Sequence, residues 1–120
     1  MKEYSCQGMN RIRKSHLAKR CEPSYGRAMR GLRFVPYHRL GELPNVIVDG
    51  SPTPSTVLTL SHWPGSPTPT DLRDDLSAQI AFHALDRPEL FDGIEAVSNN
   101  HLDQDGLASA YALVAPDDAR

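Results

Sequence analysis

Two cysteines, Cys6 and Cys21, are too few for a disulfide framework, and no CxxC pair is present. A stapled secreted scaffold is excluded, and a reducing, cytoplasmic setting is the expectation. No apolar run approaches the roughly 18–20 residues that span a bilayer, so no membrane partner is expected. Nor does an apolar stretch follow the charged start, as a secretory signal would require. The start is Arg-rich and acid-poor, like an organelle transit peptide, but it shows no amphipathic apolar face. Basic residues are scarce beyond position 40. Residues 41–120 hold three Lys/Arg against thirteen Asp/Glu, whereas residues 1–40 hold ten against two. A net charge of −2 thus hides a split of about +8 against −10, the mark of two different kinds of segment.

A chain of 120 residues has room for one domain. The split divides it into a basic extension, residues 1–39, expected to be disordered, and a partial α/β domain, residues 40–120. A core supplied by the second part alone is marginal in size. Within the first part, Arg11, Arg13, Lys14, Lys19, Arg20, Arg27, Arg30 and Arg33 follow no steady period. Clustered Lys/Arg neutralise phosphates, so residues 11–39 are a candidate nucleic-acid contact. The plainer reading is a disordered extension, or upstream sequence ahead of a start at Met29. Cys6, His16, Cys21 and His38 have no recognised zinc spacing.

From Leu40 the pattern changes. Val46-Ile47-Val48 is a β-branched run closed by Asp49-Gly50, a buried strand followed by a turn. Val57, Leu58 and Leu60 form a second strand. GSPTPS at 50–55 nearly recurs as GSPTPT at 65–70. Two copies do not make a solenoid, and proline-rich stretches without backbone donors are loops. Thr70 is a candidate N-cap, with Asp71, Asp74 and Asp75 near the first turn, where the helix dipole favours negative charge. Leu72, Leu76, Ile80 and Ala84, widened by Phe82 and Leu85, predict a helix over 71–86, ended by Arg87-Pro88. His83 lies on or beside its apolar face, a packed position. Residues 93–98 predict a third strand. Leu107, Ala110, Tyr111 and Val114 predict a second helix, stopped by Pro116. The fold class is therefore α/β: a small, mainly parallel sheet of about three strands with two helices, an incomplete doubly wound domain.

In an open α/β sheet, ligands bind beyond the carboxyl ends of the strands. The loop SNNHLDQDG after the third strand carries His101, Asp103 and Asp105 there. Alternate residues of an extended loop project to one side, and two carboxylates with an imidazole suit Mn²⁺ or a similar ion. Gly106 lets the chain turn into the helix. Plainer roles stay open: Asp105 as the N-cap of the second helix, or an acidic loop that is merely solvated. A calcium loop aligned on Asp103, Asp105 and Gly106 fails, because His101 and Ala112 occupy positions that want acids.

NHLDQDGLASAYAL resembles the first motif of the DHH phosphoesterase superfamily: a strand, an HxDxDG-type loop and a helix rich in small residues. The resemblance implies that His101, Asp103 and Asp105 bind Mn²⁺ (or Mg²⁺) in a two-metal site, with Asp103 and Asp105 in catalytic roles. Such sites activate water and clamp phosphoryl oxygens. It covers about 20 of 120 residues. The family's later aspartate motif and its DHH triplet are absent, and two strands and a helix precede the motif rather than follow it. His62 and His83 are minor candidates to complete the site.

The function expected is a fragment of a divalent-metal-dependent phosphoesterase, inactive alone, acting on a phosphate-containing small molecule or short oligonucleotide. The alternatives are a non-catalytic binding module with a basic nucleic-acid-contacting arm, and a truncated protein without activity.

Overall fold

The computed structural model describes residues 31–120. The nucleic-acid arm upstream of Gly31, the alternative start at Met29 and both cysteines lie outside the described residues. Among the described residues, four strands, β1 (Arg33–Phe34), β2 (Asn45–Val48), β3 (Thr56–Leu60) and β4 (Ala96–Ser98), occur with three α-helices, α1 (Ser77–Leu85), α2 (Gln104–Val114) and the short α3 (Pro116–Ala119). The strands form one sheet in the order β1-β4-β2-β3, and every neighbouring pair is parallel. The chain is an α/β domain.

β2 lies inside the sheet and is buried on both faces, which is why Asn45-Val46-Ile47-Val48 does not alternate apolar with polar. Val46, Val48, Leu58, Leu60 and Val97 point to the side covered by Ile80, Ala81, Ala84 and Leu85 of α1 and Ala110, Ala112 and Leu113 of α2. Ile47 and Ala96 point to the other side, where Leu40, Val35, Tyr37 and Leu43 cover them. Each fully buried Val or Ile contributes roughly 1.5–3 kcal/mol of transfer free energy. The three apolar residues of β2 are thus the densest source of stability in the sheet.

Only residues 49–55 connect β2 to its parallel neighbour β3, where a dozen or more are usual. Buried Asn45 makes this short crossover possible. Its Nδ2 donates to Leu43 O and Ser55 Oγ, and its Oδ1 accepts from Thr56 Oγ1. Tyr37 Oη donates to Ser51 O, which fastens the crossover over the Leu40 side.

The elements depart from expectation in particular places. β1 brings Arg33 and Phe34 into the sheet beside Ala96 and Val97, so the fold begins upstream of Leu40. The expected helix over 71–86 is two pieces, a 3-10 turn at Thr70–Leu72 and α1 from Ser77. Arg73 is extended, and Asp74 Oδ1 accepts from Asp75 N, which favours a local turn over helix continuation. Thr70 therefore caps nothing in α1. Leu72, Ile80, Ala84 and Leu85 are buried as expected, but Leu76 and Phe82 are exposed. His83 is not packed in an apolar face; it is half exposed and bonded to Asp74. Of the expected stripe in α2, Leu107, Tyr111 and Val114 are exposed and Ala110 is buried, together with Gly106, Ser109, Ala112 and Leu113. Mostly small residues on the buried side let α2 approach α1 and the sheet closely, with Leu113 the one large side chain buried there.

Candidate metal centre

Because all strands are parallel, their carboxyl ends lie along one edge of the sheet. Asp49 directly follows β2, His62 follows β3 by two residues, and Asn99, His101, Asp103 and Asp105 follow β4. Burial holds Asp49 at the centre: it is only 1% exposed. Its backbone is left-handed, φ 48°, a conformation that Asp tolerates better than most residues. Gly50 follows because no side chain fits there; an added Cβ would lie 2.0 Å from Asn100 Oδ1.

Asp49 Oδ1 accepts from Ser77 Oγ at 2.8 Å and from Trp63 Nε1 at 3.2 Å. The same oxygen lies 3.5 Å from His62 Nε2, and Oδ2 lies 3.6 Å from His101 Nε2. One carboxylate therefore faces two groups. On one side are His62 and Asp105, whose Nε2 and Oδ2 are 3.6 Å apart. On the other are His101 and Asp103, whose Nε2 and Oδ2 are 3.2 Å apart. In each triad the donor atoms all lie within 4.8 Å of one another.

Local structure fixes each arm. Asp103 is the N-cap of α2, its Oδ1 accepting from Gly106 N at 2.8 Å. Asp105 is not the cap. It sits in the first turn of α2, and its carboxylate reaches across to the N-terminus of α1. There Oδ2 accepts from Ser77 N and Oδ1 from Ala78 N, where the helix dipole favours an anion. Gly106 stands inside α2 rather than at a turn before it, and a Cβ added there would lie 3.0 Å from Asn99 Nδ2. Asn99 Nδ2 donates to Val48 O and Asp49 O, and its Oδ1 accepts from His101 N, which ties β2 to the β4 loop. Trp63 stacks on the His101 ring, centroids 5.1 Å apart.

Burial raises the Asp49 pKa above its ordinary value; the Ser77 bond opposes this, and the charges of Asp105 and Asp103 add to it. The Asp103 carboxyl is held below its ordinary value, first by the Gly106 N–H and then by Asp49 and His101. A buried carboxylate beside two others is costly unless a cation offsets it.

The donor chemistry fits a divalent ion. Two ligands at right angles around an ion at about 2.1 Å lie roughly 3 Å apart, close to the separations found here. Mixed carboxylate and imidazole donors suit Mn²⁺ better than Mg²⁺, which prefers oxygen alone.

His101, Asp103 and Asp105 thus all reach the sheet edge, but not as one trio: Asp105 belongs to the His62 side. His62 joins the cluster, whereas His83 pairs with Asp74 and is in neither group. Asp49, Trp63, Ser77 and Asn99 were missed. The signal for Asp49 was present: an acid at the carboxyl end of the most apolar strand obeys the same rule that singled out His101. The Asp49-Gly50 pair reads equally well as a turn, and that reading concealed it.

No helix of the described residues is long and apolar enough to cross a membrane. No curated protein and no solved structure matches the chain. Residues 30–120 match the family model described as a family of unknown function (DUF6687).

Proposed function

This chain belongs to the DUF6687 family, and we propose that it holds a pair of divalent cations, Mn²⁺ (or Mg²⁺), in a phosphoester-hydrolysing centre at its sheet edge. The carrying observation is that Asp49 faces two separate His–Asp pairs, one through each carboxylate oxygen. The substrate class in this reading is a phosphate-containing small molecule or short oligonucleotide, and the setting is cytoplasmic. When bound, the ions would lower the pKa of a water and neutralise phosphoryl charge.

The chain's own residues do the positioning. Asp49 is the shared ligand, and Ser77 and Trp63 hold it in one orientation. His62 with Asp105 and His101 with Asp103 complete the two sides. Asp103 and Asp105, the residues given catalytic roles by the resemblance, act here as ligands. Asn99 holds the β2 and β4 ends together, so both sides keep their spacing. Among the described residues, the only basic side chains in the hydrogen bonds and ion pairs of the five ligands are their own imidazoles. A phosphate group would therefore be repelled by three carboxylates until cations are present.

Calorimetric titration with Mn²⁺, then with inorganic phosphate, tests this. Mn²⁺ should bind the wild type, Asp49→Asn should not bind it, and phosphate should bind only after Mn²⁺. Phosphate affinity that ignores Mn²⁺, or Mn²⁺ heats that are identical in both proteins, would remove the reading.

A further inference from the structure

The two sides of the centre share Asp49 and have the same donor types, yet their oxygens are engaged differently. On the His101 side, each carboxylate is oriented through the oxygen that does not face the imidazole. Asp49 is held through Oδ1 by Ser77 and Trp63, and Asp103 through Oδ1 by Gly106 N. Their Oδ2 atoms are the ones aimed at His101 Nε2, at 3.6 and 3.2 Å. His101 is itself placed, by its backbone bond to Asn99 and by the stack on Trp63. The Asp103 Oδ2 contact is a hydrogen bond to His101 Nε2, made between two of the ligands themselves rather than to an outer group. Outer partners that orient a ligand strengthen ion binding.

On the His62 side the donor atoms themselves are occupied. Asp49 Oδ1 accepts two hydrogen bonds, and Asp105 Oδ2 accepts from Ser77 N at 2.9 Å. An ion there must share lone pairs with N–H and O–H groups and sit near the positive end of α1. The imidazoles do not offset this difference, since the His62 and His101 side chains are 37% and 36% exposed.

We infer that the ion position formed by Asp49 Oδ2, His101 Nε2 and Asp103 Oδ2 fills first and more tightly, and that the position formed by Asp49 Oδ1, His62 Nε2 and Asp105 Oδ2 fills second. This rests on the proposal that the cluster binds divalent cations.

The test is calorimetric titration of Mn²⁺ into the full chain and three variants. The wild type should show two steps separated by about tenfold or more in affinity. Asp103→Asn should lose the tight step; Asn is a good N-cap, so α2 keeps its start. Asp105→Asn and His62→Ala should keep the tight step and lose the weak one. His62→Ala removes no cap, so it gives the answer even where Asp105→Asn fails to fold. A tight step that survives Asp103→Asn and disappears in His62→Ala overturns the order and leaves the metal reading intact. Two indistinguishable steps do the same. A wild type that binds no Mn²⁺ overturns both.

Discussion

Two kinds of histidine–aspartate contact occur among the described residues. On α1, His83 Nε2 lies 2.8 Å from Asp74 Oδ2; the His83 side chain is half exposed and that of Asp74 partly so. At the sheet edge, His62 and His101 lie 3.2–3.6 Å from three carboxylates, one of them buried. The surface pair satisfies itself: one donor meets one acceptor at hydrogen-bond distance, and water screens the rest. At the sheet edge His101 Nε2 is also within hydrogen-bond distance of Asp103 Oδ2, but the other three contacts are 3.5–3.6 Å long and come from groups that converge from different elements. Shorter contact is therefore not the better sign of a site. Convergence of several donors, each held from behind, is what distinguishes the two.

Ion-dependent stability breaks the comparison most sharply. A ligand at a hundred times its Kd stabilises the native state by about 2.7 kcal/mol. Melting curves with and without Mn²⁺ should show that gain in the wild type and in His83→Ala. Asp49→Asn should lose it. A His83→Ala protein that loses the gain would make the two contacts alike.

Next in size is Gly50→Ala. Its Cβ would meet Asn100 Oδ1, which accepts from Ser51 N. Displacing Asn100 loses that bond, at about 1 kcal/mol. A urea midpoint equal to that of the wild type would show that the loop at the carboxyl edge yields without cost, unlike a site held from behind.

How much of this was legible follows the same division. Periodicity found β2, β3, β4 and both longer helices, because buried apolar runs announce themselves locally. It placed the buried face of α2 only in part. Leu107, Tyr111 and Val114 turn outward, while Ala110, Ser109, Ala112 and Leu113 are buried. β1 was lost because two residues carry no period; Arg33 and Phe34 become a strand only through β4. The ligand loop was legible as spacing, His101-Leu102-Asp103-Gln104-Asp105. Its division into two sides was not, because that depends on Asp49 and His62, which are distant in sequence and brought together only by the parallel sheet. Asp105 turning to cap α1 is likewise a tertiary fact: the donors it satisfies, Ser77 N and Ala78 N, belong to another helix.

The smallest effects concern protons, and they carry opposite signs in the two places. The folded pKa of Asp49 is raised, mainly by burial. Its contribution to stability is therefore full below the ordinary carboxylate value and is lost as pH rises through the raised one. At neutral pH without cations the ionised group is a liability. Asp49→Asn, which keeps an oxygen for Ser77 and Trp63, should then melt above the wild type. The folded pKa of Asp74 is lowered, first by the His83 bond and then by Asp75 N–H. Its contribution is present above the ordinary value and is lost as pH falls through the lowered one. Asp74→Asn should melt slightly below the wild type at neutral pH, within the range of an ordinary surface change. On acidification both differences should shrink toward zero from opposite sides. Thermal melts of the three proteins from neutral pH down to the carboxylate range would check this. Two variants displaced in the same direction would mean that Asp49 is held as the surface pair is, by a satisfied contact, and that its carboxylate waits for no cation.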